Sequence, residues 1–154
     1  MKHYQNKIWN GRIFRYVPLI LCICLIFYAS TINASMSETS RFIRPFLEFL
    51  FPDTPDSTLI IYHKYIRKLA HFVEYSVLAF FASRAFWLSS KEFLHKHWYL
   101  FAFFLVLSVA SIDEINQSFD ITRTSSIYDV LLDCFSGLSM ILFILMIKYV
   151  WKKD

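Results

Sequence analysis

Four segments of the sequence are apolar enough, over enough residues, for each to cross a lipid bilayer. They cover residues 14–35, 69–88, 98–117 and 127–150. A spanning helix needs about 20 predominantly apolar residues, and the remaining residues are too few for a soluble core of the usual size. The sequence therefore predicts an all-α, polytopic membrane protein: a bundle of four transmembrane helices in a single domain over residues 1–154.

Basic residues predict how this bundle is oriented, because cytoplasmic loops of membrane proteins carry an excess of Lys and Arg. With four spans, the two termini and the middle connection lie on the same side. The basic residues of that side are Lys2, Lys7, Arg12, Arg15, Lys91, Lys96, Lys152 and Lys153. We therefore expect a multi-pass protein with both termini in the cytoplasm.

The N-terminal segment also has the layout of a signal peptide, in which a basic region precedes a short hydrophobic core. The small-residue cleavage site that such a peptide needs would fall at Ile32, Asn33 and Ala34, and Ile fits that site poorly. The basic region is also long. We interpret residues 14–35 as a retained first span, with a cleaved signal as the alternative.

The connection between the first two spans, residues 36–67, predicts a short interfacial helix. Ser40 is a candidate cap for this helix, and Arg41, Arg44 and Glu48 share one face of it while phenylalanines cover the rest. Pro45 then falls in the first turn, where proline is tolerated. The PDTPDS segment that follows predicts a turn. An ordered loop without a ligand and a lipid gate both remain open as interpretations.

Carboxylates crowd the third and fourth spans near the turn that joins them. These residues are Asp113, Glu114, Asp129 and Asp133. An acid within a membrane segment costs a few kcal/mol or more, so such residues are rare unless they face a cavity or a partner. The second span adds Lys68, His71 and Glu74, spaced three apart along one helix face. This density of ionisable side chains predicts a role beyond anchoring.

Spacing predicts some contacts within this region. Gln117 lies four residues after Asp113 and three after Glu114, so it can touch either acid. Ser126 and Asp129 have the spacing of a capping box at the start of the fourth span, which gives Asp129 a structural explanation. Asp133 lies a turn deeper, on the same face as Gly137, and Gly137 would let a neighbouring backbone approach closely.

The cysteines and the possible metal ligands form no local pattern. Cys22, Cys24 and Cys134 match no zinc or redox spacing, and a thiol in lipid behaves as a small hydrophobe. His, Asp and Glu are ligands for zinc and for hard cations. No run of them has the spacing of a metal site, so we assign no metal and name no cofactor.

Two motifs, in this order, resemble those of the VanZ-like membrane proteins. The first consists of Lys68, His71, Phe72, Glu74 and Tyr75 with Leu78, and the second of Asp113, Glu114, Gln117, Phe119, Arg123, Ser126, Asp129, Asp133 and Gly137. The resemblance covers about residues 16–150. Two features depart from it: Asp120, Ile121 and Thr122 stand where the family often has Pro before the Arg, and Asp133 stands where Asn is common.

The resemblance implies a bacterial cytoplasmic-membrane protein, linked in the family's namesake to reduced susceptibility to the glycopeptide teicoplanin. It does not specify a biochemical activity. Whether the chain is an enzyme therefore stays open.

Three functions are compatible with these residues. The chain binds, or modifies, a phosphate-bearing anionic lipid or cell-wall precursor; it is a structural or resistance factor without chemistry; or it is a proton-coupled carrier. For the first, we assign proton transfer to His71, Glu74, Glu114 and Asp129. We assign ligand binding to Lys68, Asp113, Gln117, Arg123, Ser126 and Asp133. The expected partners are the lipid bilayer and this ligand, with no nucleic acid.

The excess of acids over cations predicts the geometry of this site. We expect Arg123 to contact Glu114 or Asp129, and His71 to come within hydrogen-bonding reach of an acid on the third or fourth span. His71, Glu114, Arg123 and Asp129 should line one cavity that opens to the external face.

Overall fold

A computed structural model describes residues 2–30, 36–119 and 126–151, without the side chains of residues 2–10, 12, 36–39 and 42. The described residues form six α-helices and no strand, which confirms the all-α class. The helices are α1 Lys2–Ala29, α2 Met36–Leu50, α3 Asp56–Trp87, α4 Glu92–Lys96, α5 Trp98–Ser118 and α6 Ile127–Trp151.

Helix α3 is the centre of the fold, because α1, α2, α5 and α6 all pack against it. Its buried face is built mainly from small residues: Ala79, Ala82, Ser83 and Ala85. Helix α5 also contributes small or medium-sized side chains to the core: Ala102, Val106 and Ala110, which are fully buried. Small side chains let helix backbones approach closely, which is how membrane helices associate. Many large apolar side chains point outward instead, among them Phe104, Leu142 and Phe143.

Gly137 on α6 is a point of close approach to α5. A Cβ atom added at Gly137 would lie 2.7 Å from Cγ1 of Val106. The sequence predicted close approach at this glycine, and the group that occupies the space is a valine side chain of α5. Because valine is restricted in χ1 within a helix, it cannot turn away freely.

We expect Gly137→Ala to lower the free energy of unfolding by about 1–2 kcal/mol, because overpacking a core outweighs the helix propensity that alanine gains. Unfolding in detergent micelles by SDS titration measures this. Gly11→Ala is the matched control, since nothing lies within 4 Å of a Cβ added there. Val106→Ala should rescue Gly137→Ala; equal losses in the single and double variants would contradict the packing argument.

Two helices, Trp98–Ser118 and Ile127–Trp151, are long and apolar enough to cross a membrane by length and composition. They coincide with the predicted third and fourth spans. The apolar part of α1, Ile13–Ala29, is shorter, and residues 31–35 of the predicted first span lie outside the described residues. The predicted second span belongs to α3, in which His71, Glu74 and Arg84 lower the hydropathy. The bundle of four spans is therefore not confirmed for α1 and α3.

The predicted helix between the first two spans exists, but it starts earlier than expected. Helix α2 begins at Met36, so Ser40 is not its cap and Pro45 is not in its first turn. The Ser40 hydroxyl instead forms a 3.1 Å hydrogen bond with Nδ1 of His63, which joins α2 to α3. Burial lowers the pKa of His63, and the nearby charge of Arg67 lowers it further.

The predicted shared face of α2 is confirmed. Arg44 forms ion pairs with Glu48 at 2.7 Å and with Asp56 at 2.9 Å, and these contacts raise the pKa of Arg44. The turn between Pro52 and Pro55 also lies where the sequence predicts it. Proline fixes φ and lacks an N–H, so it suits the residue just before a helix. Helix α3 then starts at Asp56, and residues 56–67 are helical where we predicted a connection.

Candidate functional site

Nine of the ten predicted site residues lie within the described chain, on three helices that pack together. Helix α3 carries three of them, α5 carries three, and α6 with the residue before it carries three. In that order they are Lys68, His71 and Glu74; Asp113, Glu114 and Gln117; and Ser126, Asp129 and Asp133. Arg123 lies outside the described residues, and so do its predicted contacts.

Asp113 is the best-connected acid of the site and is 2% exposed. Its Oδ2 atom accepts a hydrogen bond from the Tyr75 hydroxyl at 3.0 Å and another from Nε2 of Gln117 at 2.9 Å. The sequence allowed Gln117 to touch either neighbouring acid, and the structure pairs it with Asp113. These two donors fix the orientation of the carboxylate within the bundle.

Asp133 on α6 is the acid that lies beside His71. Its Oδ1 atom is 3.7 Å from Nδ1 of His71, which is an ion-pair distance. The expectation of an acid from the third or fourth span is met, but the predicted hydrogen bond is not made, because 3.7 Å exceeds the usual length of such a bond. His71 also stacks on Tyr75, with ring centroids 6.3 Å apart.

At the start of α6, Ser126 and Glu114 make the contacts that the sequence assigned to a capping box of Ser126 and Asp129. The Ser126 hydroxyl accepts a hydrogen bond from the Tyr128 N–H at 3.2 Å, as an N-cap residue does. The N–H of Ser126 donates a hydrogen bond to Oε1 of Glu114, which lies on α5. Asp129 instead lies 3.7 Å from Nζ of Lys68.

The contacts join into one polar region, which lies at the middle of α3, the C-terminal end of α5 and the N-terminal end of α6. Glu74, which is half-buried, interacts electrostatically with His71, Asp113 and Asp133. Glu114 interacts in the same way with Asp113, Asp129 and Asp133. The cavity predicted for His71, Glu114, Arg123 and Asp129 stays a prediction, because it includes Arg123.

Comparison with known proteins supplies the family. The family model described as VanZ/LLP1 matches residues 15–148. The chain belongs to the VanZ/LLP1 family. The match contains every residue of the polar region, from Lys68 to Asp133. No curated protein and no solved structure matches this chain. Family membership and the two apolar helices indicate a membrane protein.

Tyr75 of this VanZ/LLP1 chain belongs to the first sequence motif but was not among the predicted site residues. It is fully buried and donates to Asp113. One signal was available: Tyr75 lies four residues after His71, so both side chains lie on the same face of α3. Because tyrosine is uncharged and common in apolar helices, its presence alone does not indicate a functional site.

The VanZ/LLP1 polar region contains groups that can hold a proton or a cation. One ligand atom each from His71, Asp113 and Asp133 lies within 4.8 Å of the others. The assignment of no metal site rested on spacing along the chain, and these three residues come from three different helices. Spacing alone could not bring them together.

Proposed function

We propose that this protein is a multi-pass protein of the bacterial cytoplasmic membrane that binds a phosphate-bearing lipid or cell-wall precursor at the polar region formed by α3, α5 and α6. The observation that supports it is a buried polar cluster whose hydrogen bonding is incomplete. Oδ1 of Asp113 and Oδ1 of Asp133 have no hydrogen-bond partner among the described residues. Buried polar groups in a purely structural scaffold are normally satisfied, because each unpaired one costs free energy.

Basic side chains of this polar region would contact the phosphate. The Lys68 side chain is 60% exposed and only loosely paired, 3.7 Å from Asp129. A phosphate oxygen can compete with that carboxylate, since surface ion pairs of this kind contribute little free energy. The proposal gives Arg123 the second phosphate contact, because guanidinium binds phosphate in a bidentate manner.

The proton-transfer groups of the proposal are His71, Glu74, Glu114 and Asp129. Imidazole changes protonation near neutral pH, and an acid close to it can accept or supply the proton. The external position of these groups follows from the proposed topology with both termini in the cytoplasm. Because the family's namesake is linked to reduced susceptibility to teicoplanin, the proposal extends the same effect to this protein.

A non-enzymatic scaffold is the second candidate. The hydrogen bond from Tyr75 to Asp113 favours it, because it joins α3 to α5 without any ligand, and Gln117 holds the same carboxylate from within α5. It predicts that conservative changes of the exposed groups leave the protein's behaviour unchanged. Binding of a phosphate-bearing lipid therefore separates the two candidates.

The test is native mass spectrometry of the full chain in detergent, with a short-chain polyprenyl phosphate and, separately, with phosphatidate. We expect the wild type to bind at least one of them, and Lys68→Gln to bind about tenfold less, which corresponds to losing about 1.4 kcal/mol of a charge-assisted contact. Lys91→Gln is the matched control, an exposed lysine of the connection between α3 and α5.

Preference for the polyprenyl phosphate would indicate a cell-wall precursor, and preference for phosphatidate a membrane phospholipid. Teicoplanin susceptibility of cells producing the same variants is the second measurement. Cells that produce the wild type or Lys91→Gln should be less susceptible to teicoplanin than cells without the protein. Cells that produce Lys68→Gln should be as susceptible as those without it. Equal lipid binding by all three proteins would contradict the proposal and favour the scaffold.

A further inference from the structure

Three ligand-type side chains meet inside the bundle, each from a different helix. His71 comes from α3, Asp113 from α5 and Asp133 from α6, and one ligand atom of each lies within 4.8 Å of the other two. We call these residues the three-ligand cluster. Asp113 and Asp133 are each only 2% exposed.

Atoms of this cluster lack partners. Within the described residues, Nδ1 of His71, Oδ1 of Asp113 and Oδ1 of Asp133 are buried and make no hydrogen bond. Two of them, Nδ1 of His71 and Oδ1 of Asp133, face each other at 3.7 Å. A buried carboxylate without compensation costs several kcal/mol. The cluster therefore needs positive charge beyond what the described neighbouring side chains supply.

The spacing is suited to a metal ion. At 3.7 Å, the contact from His71 to Asp133 is too long for a good hydrogen bond. Two ligands of a tetrahedral ion with bonds of about 2.1 Å lie about 3.4 Å apart, so small side-chain movements would bring both atoms into coordination. We infer that the three-ligand cluster binds a divalent cation.

The donor set selects the class of cation. One imidazole nitrogen and two carboxylate oxygens suit Zn²⁺ or Mn²⁺, whereas Ca²⁺ takes six to eight oxygen ligands. With neutral His71, the two carboxylates balance the charge of the ion. Tyr75 and Gln117 hold Asp113 through Oδ2, and such outer contacts orient metal ligands. Three protein ligands leave a coordination position for water or for an oxygen of a bound molecule.

This inference rests on the three-ligand cluster alone and does not require the phosphate-binding function. The experiment uses full-length protein with a non-histidine affinity tag, in lipid nanodiscs free of phosphate-bearing ligand other than the zwitterionic lipid. Zn²⁺ binding is measured by competition with a chromophoric chelator, and Mn²⁺ binding by loss of the free-ion electron paramagnetic resonance signal.

We expect one Zn²⁺ or Mn²⁺ per chain in the wild type. Asp133→Asn and His71→Gln should each weaken binding about tenfold or more, since even changes of outer contacts weaken metal sites by about 10–100-fold. Glu48→Gln is the control. Glu48 is an exposed acid of α2 that pairs with Arg44 and does not belong to the three-ligand cluster. Circular dichroism and gel filtration check that each variant is folded.

Absence of stoichiometric binding by the wild type would overturn the inference, whatever the variants do. Unchanged affinity in both folded variants would also overturn it and place the ion elsewhere. If the variants do not fold, a metal-dependent rise in the unfolding temperature of the wild type, absent with Mg²⁺, supports the site, and no rise counts against it. A failure here leaves the lipid-binding result unaffected, because neither the polyprenyl phosphate nor phosphatidate is present.

Discussion

Replacing His71 by leucine is expected to lower the free energy of unfolding by about 3 kcal/mol in metal-free protein. Asp133 has a side chain that is only 3% exposed, and His71 is its ion-pair partner. Removing one member of a buried pair leaves the other charge without compensation, which typically costs about 3–5 kcal/mol. SDS titration in detergent with a chelator present measures the difference.

A double variant of His71 and Asp133 provides the internal control. Asp133→Leu, added to His71→Leu, should recover most of the loss, because replacing both members by apolar residues removes the unpaired charge. Glu48→Gln, which breaks an exposed pair with Arg44, should leave the free energy of unfolding nearly unchanged. If the double variant is no more stable than His71→Leu, the two side chains do not act as a pair.

An alkaline-phosphatase fusion after Asp120 is expected to be active, and a fusion after Glu92 inactive. Alkaline phosphatase folds only outside the cytoplasm, where its disulfides form. The basic residues Lys91 and Lys96 hold the connection near Glu92 on the cytoplasmic side. Enzyme activity in intact cells, normalised to the amount of fusion protein, gives the result.

A fusion after Trp151 tests the same topology at the end of α6 and should be inactive like that after Glu92. The reverse pattern, with activity after Glu92 and none after Asp120, would move the polar region to the cytoplasmic side. The proposal of an external ligand would then be wrong.

Helix positions and contacts within one helix could be predicted from the sequence. Helices α5 and α6 match the predicted spans to within one residue at either end, because each contains a long apolar run, which forms a helix in a bilayer. The contact between Asp113 and Gln117 also followed from i,i+4 spacing. Local geometry fixes such features before any tertiary structure forms.

Contacts between helices could not be predicted, because they depend on the register in which the helices pack. The pairing of Lys68 with Asp129, and of His71 with Asp133, requires the rotation and shift of α3 relative to α6. The boundary of α3 was also missed. Residues 56–67 mix apolar side chains such as Leu59 and Ile66 with polar ones, and we predicted a connection there, yet the helix that starts after Pro55 continues into the span.

The claim that the polar region is a ligand site is tested most directly by an experimental structure of the protein in nanodiscs with Mn²⁺ and a short-chain polyprenyl phosphate. We predict an anomalous-scattering or density peak between His71, Asp113 and Asp133, with a phosphate group within reach of Lys68. A structure at those ligand concentrations in which the three side chains close on one another, with the phosphate lipid bound elsewhere or not at all, would contradict it.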